Sequence, residues 1–378
     1  MDEAAKMITQ AELKQLVKDH EEWRQQCMNL IASENACSPV VRQYWNSDLV
    51  QRYGNYLGRD LADRRYTGNR FIQQIEAALQ EIVRDVFGAT EVELRAISGH
   101  VAGLAVIMAV CKPGDSVLEI SGDCGGHGLA VKAAESSLID LKIHPVPFDT
   151  HAYNIDLARL EEAVRTIRPR LIILGTSNFL FPSPVKEAAQ ICGRFPGTIL
   201  AYDASHVFGL IACGEFQRPI QEGAHIVFGS THKTLPGPQG GLILSNDPSL
   251  MDLVSKAVYP GIVTNHHLMR SPSLAAALLE LKHHPEYGRA VVENAQALGR
   301  GLHRRGIPVV AADRGVTLSH TVMVQTSDFG KGRAVAAWLE EAEILSSYAK
   351  VTPDLGIEAI RLGSQEVTRL GATVQYMD

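Results

Sequence analysis

The chain has 378 residues, 46% of them hydrophobic, and carries a formal net charge of −6. That length suits about two to three structural units around a large core. The acidic balance, without clustered lysine or arginine, argues against a nucleic-acid footprint or an anionic-membrane patch and leaves a small molecule as the expected partner.

The six cysteines, Cys27, Cys37, Cys111, Cys124, Cys192 and Cys213, form no C-x-x-C pair. They read as free thiols in a reducing compartment. The opening MDEAAKMITQ lacks a basic segment followed by an apolar one. No apolar run approaches the ~18–20 residues of a spanning helix. A soluble, cytoplasmic protein with no membrane partner is expected.

Thr9 and Glu12 form a T-x-x-E capping box, and Leu13, Leu16, Val17 and Trp23 follow at helical spacing, so the chain is expected to open with an amphipathic helix. Residues 70–88 read as a second helix, with Ile72, Ile75, Leu79, Val83 and Phe87 on one stripe and Gly88 as its stop. Strand candidates then run over 92–97, 116–120, 171–175, 198–202, 225–228 and 241–244. Helical stretches at 100–111, 127–137, 155–166 and 185–193 alternate with them. Such alternation produces an α/β architecture, a mostly parallel sheet with helices on both faces. After Tyr259-Pro260-Gly261 come a long Leu/Ala/Glu-rich helical region (272–305), strands near 307–310 and 321–325, and a helix near 331–342. The expected division is an N-terminal helical arm (1–50), a large domain (51–258) and a smaller C-terminal α+β domain (259–378).

Ligands of open α/β sheets collect beyond the carboxyl ends of the strands. Four predicted strand ends carry chemistry. Ser98-Gly99-His100 opens a helix, a seat for a phosphate. His127 follows two glycines in SGDCGGHG. Asp203 and His206 stand in DASH, and Lys233 stands in STHKTLPGPQGG, the only lysine or arginine between Arg218 and Lys256. Singly, each has a plain alternative. Ser-Gly is an ordinary turn, an aspartate at a strand end is equally a helix cap, and either histidine could be a packed one. Together they offer what pyridoxal phosphate needs: a carboxylate for the pyridine nitrogen, a phosphate seat, an imidazole to stack on the ring and an amine to form an imine.

LIASEN (30–35), RYTG (65–68), SGH (98–100), GGH (125–127), DASHVFGL (203–210), THKTLPGPQGG (231–241) and IRLG (360–363) occur in one order along the chain. In these blocks the chain resembles serine hydroxymethyltransferase and its relatives among the fold type I (aspartate-aminotransferase-like) pyridoxal-phosphate enzymes, over roughly residues 25–370. The resemblance implies that Lys233 is the Schiff-base lysine, that Asp203 pairs with the pyridine nitrogen and that His127 stacks on the ring. It implies further that Ser98, Gly99 and His100 hold the phosphate, with Ser177 and His206 near the phenolic oxygen. Ser33 and Arg361 would grip the substrate carboxylate, a role suited to a guanidinium fork. Tyr53 would reach across a homodimer to the partner's phosphate.

The pattern also breaks. The family carries Tyr-Ala-Glu-Gly-Tyr-Pro-Gly; here Tyr53-Gly54-Asn55-Tyr56-Leu57-Gly58 is one residue shorter, and Asn55, the nearest counterpart of the glutamate, cannot titrate. The two leucines that sandwich folate correspond to Gly122 and Gly128. Thr67, His100 and Gln239 replace a family tyrosine, serine and arginine, and residues 59–64 (RDLADR) are inserted. The machinery for holding an α-amino acid is retained, and the part that handles folate is altered. The leading expectation is therefore a folate-independent aldolase or transaldolase. It would act through a quinonoid on a β-hydroxy-α-amino acid such as threonine, with an aldehyde as possible acceptor and His127 taking the β-hydroxyl proton. The alternatives are a folate-dependent serine or α-methylserine hydroxymethyltransferase, and an oxidative decarboxylase of the kind found in natural-product pathways. His266-His267, without a carboxylate at ligand spacing, reads as polar surface or a subunit contact, and no metal is expected.

Overall fold

The computed structural model of the protein describes residues 7–351 and 358–378. Its centre is a seven-stranded sheet built from Glu91–Glu93 (β1), Ser116–Glu119 (β2), Lys142–Pro145 (β3), Leu171–Leu174 (β4), Ile199–Asp203 (β5), Ile226–Ser230 (β6) and Gly241–Ser245 (β7). The order across the sheet is β1–β7–β6–β5–β4–β2–β3, and only β7 runs against its neighbours. Strands β4 and β6 are buried along their whole length, as expected where helices cover both faces. One core layer gathers Leu79, Val83, Ile172, Leu200 and Leu242, and the other gathers Val106, Val117, Leu171, Ile226 and Ile243. Each such side chain contributes roughly 1.5–3 kcal/mol on burial.

The helix Arg70–Phe87 ends at Gly88 in the left-handed conformation (φ 64°), as its stop signal requires. One position of its stripe departs from expectation: Glu76 is buried in place of Ile75. Its carboxylate is held by Arg64 at 2.6 Å and by His266 Nε2 at 2.6 Å. A carboxylate is tolerated there because it is paired on both oxygens. His266 is therefore a buried partner of Glu76, only 3% exposed, and not a surface residue; His267 stays exposed. Arg64 belongs to the inserted RDLADR and also donates to Gly54 O and Leu61 O. The insertion is thus folded back on Tyr56 through an antiparallel bridge and locked by a buried ion pair.

Other expectations shift for local reasons. The 92–97 strand stops at Glu93, because the buried Arg95 turns out of the sheet to bond Glu93 and the carbonyls of Tyr56 and Gly58. Edge strand β3 carries almost no apolar signal. The 272–305 region is two helices, Arg270–His283 and Glu286–Arg304, broken at Pro285. The first of these places Leu274, Ala277, Leu278 and Leu281 in the core of the large unit. The 307–310 strand is reduced to one bridge, Val309 to Val324.

A separate three-stranded antiparallel sheet places Glu358–Gly363 between Thr321–Gln325 and Ser347–Lys350. Its core includes Leu30, and the N-terminal segment adds Met28–Asn29 in parallel to Ile344–Leu345. The opening helix, Gln10–Gln26, has the full capping box and buries none of its residues within the single chain.

Candidate active site

Parallel strands β2, β4, β5 and β6 end on the same edge of the sheet, so the residues that follow them converge. Ser98, Gly99, His100, His127, Ser177, Asp203, His206 and Lys233 all line one cavity of about 240 Å³. Ser98 caps the helix Gly99–Val110, accepting from Val101 N. The N–H groups of Gly99 and His100 are left without intrahelical acceptors at the cavity mouth. No larger residue fits at position 99, where a Cβ would lie 2.3 Å from Ser230 Oγ.

The loop that carries His127 is held from two sides. A Cβ at Gly126 would lie 1.7 Å from Ile120 O, so this close approach requires glycine. The buried Glu119 carboxylate accepts from the N–H groups of Leu129, Ala130 and Val131 and fixes the start of the next helix. His127 Nε2 lies 3.1 Å from His100 Nδ1, with the rings edge to face. Burial lowers the His127 pKa to about 4, helped by the Lys132 charge, and the same causes lower His100. Burial thus favours the neutral form of both rings.

Asp203 ends β5 with one oxygen accepting from Ser205 N at 2.9 Å, and the other accepts no hydrogen bond among the described residues. Burial lowers the Lys233 amine to about 8; Asp203 opposes the shift and Arg361 adds to it. Arg361 donates from Nη1 to Ser177 O at 3.0 Å and from Nε to Ser347 Oγ at 3.3 Å. His206 is buried and stacked on His320, with ring centroids 5.7 Å apart. Its Nδ1 has no partner among the described residues. Burial holds His206 well below the ordinary imidazole range and His320 at about 3.

The donor set fits pyridoxal phosphate. A helix N-terminus with free N–H groups suits a phosphate, a free carboxylate oxygen suits the pyridinium, and an amine of lowered pKa suits imine formation. The remaining predicted residues lie outside this cavity. Ser33 sits in the loop whose Ala32 packs against Gly363 and accepts from His320, two residues from Arg361. Tyr53 is 52% exposed and packs on Tyr66. Asn55 is buried with its amide on Thr264 O at 2.6 Å, and its Oδ1 has no partner among the described residues. Neither Tyr53 nor Asn55 lines this chain's own cavity.

Three residues carry more than the sequence reading assigned. Asn35, inside LIASEN, donates to the Lys233 carbonyl at 2.6 Å and to Tyr287 Oη at 3.0 Å. Tyr287 in turn reaches Thr234 O and Gln365 O. This network ties the lysine's backbone to the segments that carry Ser33 and Arg361. Asn35 had a motif to mark it; Tyr287 and His320 sit in ordinary-looking helical and strand-edge contexts. Replacing Asn35 by alanine leaves a carbonyl unpaired, at about 1–3 kcal/mol. The expected outcome is a loss of about ten- to a hundredfold in kcat/KM at unchanged cofactor content, measured by steady-state kinetics and cofactor absorbance. The milder Tyr287→Phe should cost less.

The serine hydroxymethyltransferase family profile matches residues 7–377. The chain belongs to that family. It is 40% identical to the serine hydroxymethyltransferase of Methanopyrus kandleri over 96% of this chain and 85% of the relative. It is 39% identical to that of Pyrobaculum arsenaticum over 95% and 84%. Among solved structures it is similar to the L-threonine transaldolase of Pseudomonas fluorescens in its internal aldimine state. The TM-score there is 0.90 at 29% identity, covering 97% of this chain and 84% of that one. The fold is accordingly fold type I, the cofactor is pyridoxal phosphate, and the protein is a pyridoxal-phosphate-dependent transferase or lyase.

Proposed function

We propose that this family member cleaves a β-hydroxy-α-amino acid of the threonine type without folate, and passes the resulting glycyl unit to an aldehyde acceptor. One observation carries the reading: among the described residues lining the cavity, Asp203 is the only carboxylate, and Asn55, at the family glutamate's place, is a buried amide turned to Thr264. The acid that would manage protons in folate-dependent transfer has no counterpart there. At Gly122 a side chain would meet nothing within 4 Å, and at Gly128 only Lys132 at 4.0 Å. Both folate-wall positions are open.

Arg361 and Ser33 would hold the substrate carboxylate, and Asp203 would face the ring nitrogen. Neutral His127 would take the β-hydroxyl proton as the Cα–Cβ bond breaks. Pyridoxal phosphate, when bound, supplies the electron sink for Cα. Orienting the bond to be broken is the protein's task. The active form in this reading is a cytoplasmic homodimer, in which exposed Tyr53 meets the partner's site.

The relatives at about 40% identity bear the hydroxymethyltransferase name, which favours folate-dependent transfer from serine as the second reading. Purified protein is expected to release acetaldehyde from threonine with no folate added. Activity confined to serine with tetrahydrofolate would install the second reading. Dioxygen uptake with release of carbon dioxide from an amino acid would replace both with oxidative decarboxylation.

A further inference from the structure

His127 as base raises a difficulty that the reading above leaves open. It is faced by Lys132, Lys233, His100 and Asp203. Burial and the Lys132 and Lys233 charges outweigh Asp203 and disfavour charging it, so an imidazolium is a poor resting place for the hydroxyl proton. His100 offers a way out. It stands where the family has serine, its Nδ1 lies 3.1 Å from His127 Nε2, and it is only half-buried. Its charged neighbours are Lys132 and Asp203. A contact of this length between two neutral imidazoles is a hydrogen bond only when one proton lies between the nitrogens. With that proton on His127 Nε2, His127 Nδ1 is the unprotonated nitrogen of a residue that lines the cavity, and His100 Nε2 makes no hydrogen bond among the described residues.

We propose that His100 is the second carrier of a proton relay that serves His127. This rests on His127 being the base for the β-hydroxyl. As the substrate O–H bond breaks, its proton passes to His127 Nδ1. The proton on His127 Nε2 moves to His100 Nδ1, and the one on His100 Nε2 leaves to water. One proton enters and one departs, so neither ring keeps a net charge. Both tautomers are inverted. When the Cα carbon adds to an acceptor aldehyde, the new alkoxide takes the His127 Nδ1 proton. The relay then runs backward and water restores His100 Nε2. A two-stage transfer thus returns the pair to its starting state without a titrating carboxylate.

The test compares wild type with His100→Asn, which keeps a hydrogen-bonding side chain but cannot carry a proton through, and His100→Ala. Threonine cleavage is followed against pH, with and without added imidazole. His100→Asn is expected to lower kcat about 10- to 100-fold, within the range of general acid–base effects, with KM and the cofactor dissociation constant within about twofold. Imidazole should restore the His100→Ala rate in a saturable way. A wild-type kcat and pH profile in His100→Asn would overturn the relay. So would a loss fully explained by weaker cofactor binding, which would make His100 a phosphate ligand only, or the absence of rescue. Nitrogen-15 NMR of the wild-type holoenzyme without substrate supplies an independent reading. Scalar coupling between His127 Nε2 and His100 Nδ1 is expected, and its absence overturns the proposal. If threonine is not cleaved by wild type, the functional reading fails and the relay that rests on it falls too; cleavage by wild type with an unaltered His100→Asn, or without the coupling, overturns the relay alone.

Discussion

Replacing Lys233 with alanine is expected to abolish turnover and to remove the visible band of lysine-bound pyridoxal phosphate. The lysine is framed by Asn35 on its carbonyl, by Thr231 Oγ1 on Pro238 O, and by Thr234 Oγ1 on His206 O. Its backbone is fixed while its amine projects into the cavity. Burial lowers the amine to about 8. At pH 8 roughly half of it is then unprotonated, against about 0.3% at the ordinary lysine value. Only the unprotonated amine attacks an aldehyde. The folded pKa lies below the ordinary one, so reactivity appears as pH rises through about 8 and is lost below it. Recombination of cofactor-free enzyme with pyridoxal phosphate should therefore accelerate from pH 6 to 8 and level off above. A lysine-bound absorbance that survives Lys233→Ala would remove the assignment.

Residues that act where a parallel strand ends were legible in the sequence, because topology alone forces those ends to one edge. His127, Asp203 and Lys233 could each be placed by finding an apolar run and reading the next few residues. The helix 70–87 was legible for a similar reason, since its stripe and its Gly88 stop are local. Glu76 on that stripe was not. Its burial depends on Arg64, 12 residues away, and His266, 190 residues away, and nothing local reports such partners. The same holds for Tyr287 and His320, whose importance arises only when the C-terminal unit closes on the Lys233 loop. Pro285 did carry a local signal, and the Leu/Ala/Glu-rich composition around it masks the break it makes.

The changes at Asn55, Gly122, Gly128 and His100 matter in a different way. They alter side chains on a conserved frame of distances, so fold and cofactor survive them while the proton chemistry does not have to. Family membership and a high TM-score speak to the frame. In the function proposed above, the reaction is decided by the few groups that can hold or move a proton beside Cα and Cβ, and those would be the imidazoles of His127 and His100.

Arg361→Ala is expected to lower kcat/KM for the amino acid by about 30- to 1,000-fold, mostly through KM. The wild-type guanidinium uses Nη1 and Nε on a carbonyl and a hydroxyl, and Nη2 makes no hydrogen bond among the described residues. None of the described Asp or Glu side chains lies within ion-pair distance of it. Burial alone lowers its pKa to about 10, so it remains a cation at pH 7. A buried charge without a counter-charge weakens the fold, and a substrate carboxylate would offset that cost on binding. Losing such a charge-assisted pair costs roughly 2–4 kcal/mol, at 1.4 kcal/mol per tenfold. Arg361→Lys keeps the charge but not the planar fork, so it should fall between wild type and alanine. The sign of the stability change separates a binding role from a structural one. Removing an uncompensated buried cation should leave Tm unchanged or raise it, whereas an arginine that holds the small domain in place would lower it. An unchanged KM in Arg361→Ala, or a KM effect that persists with the corresponding amine lacking a carboxylate, would withdraw Arg361 from the substrate site.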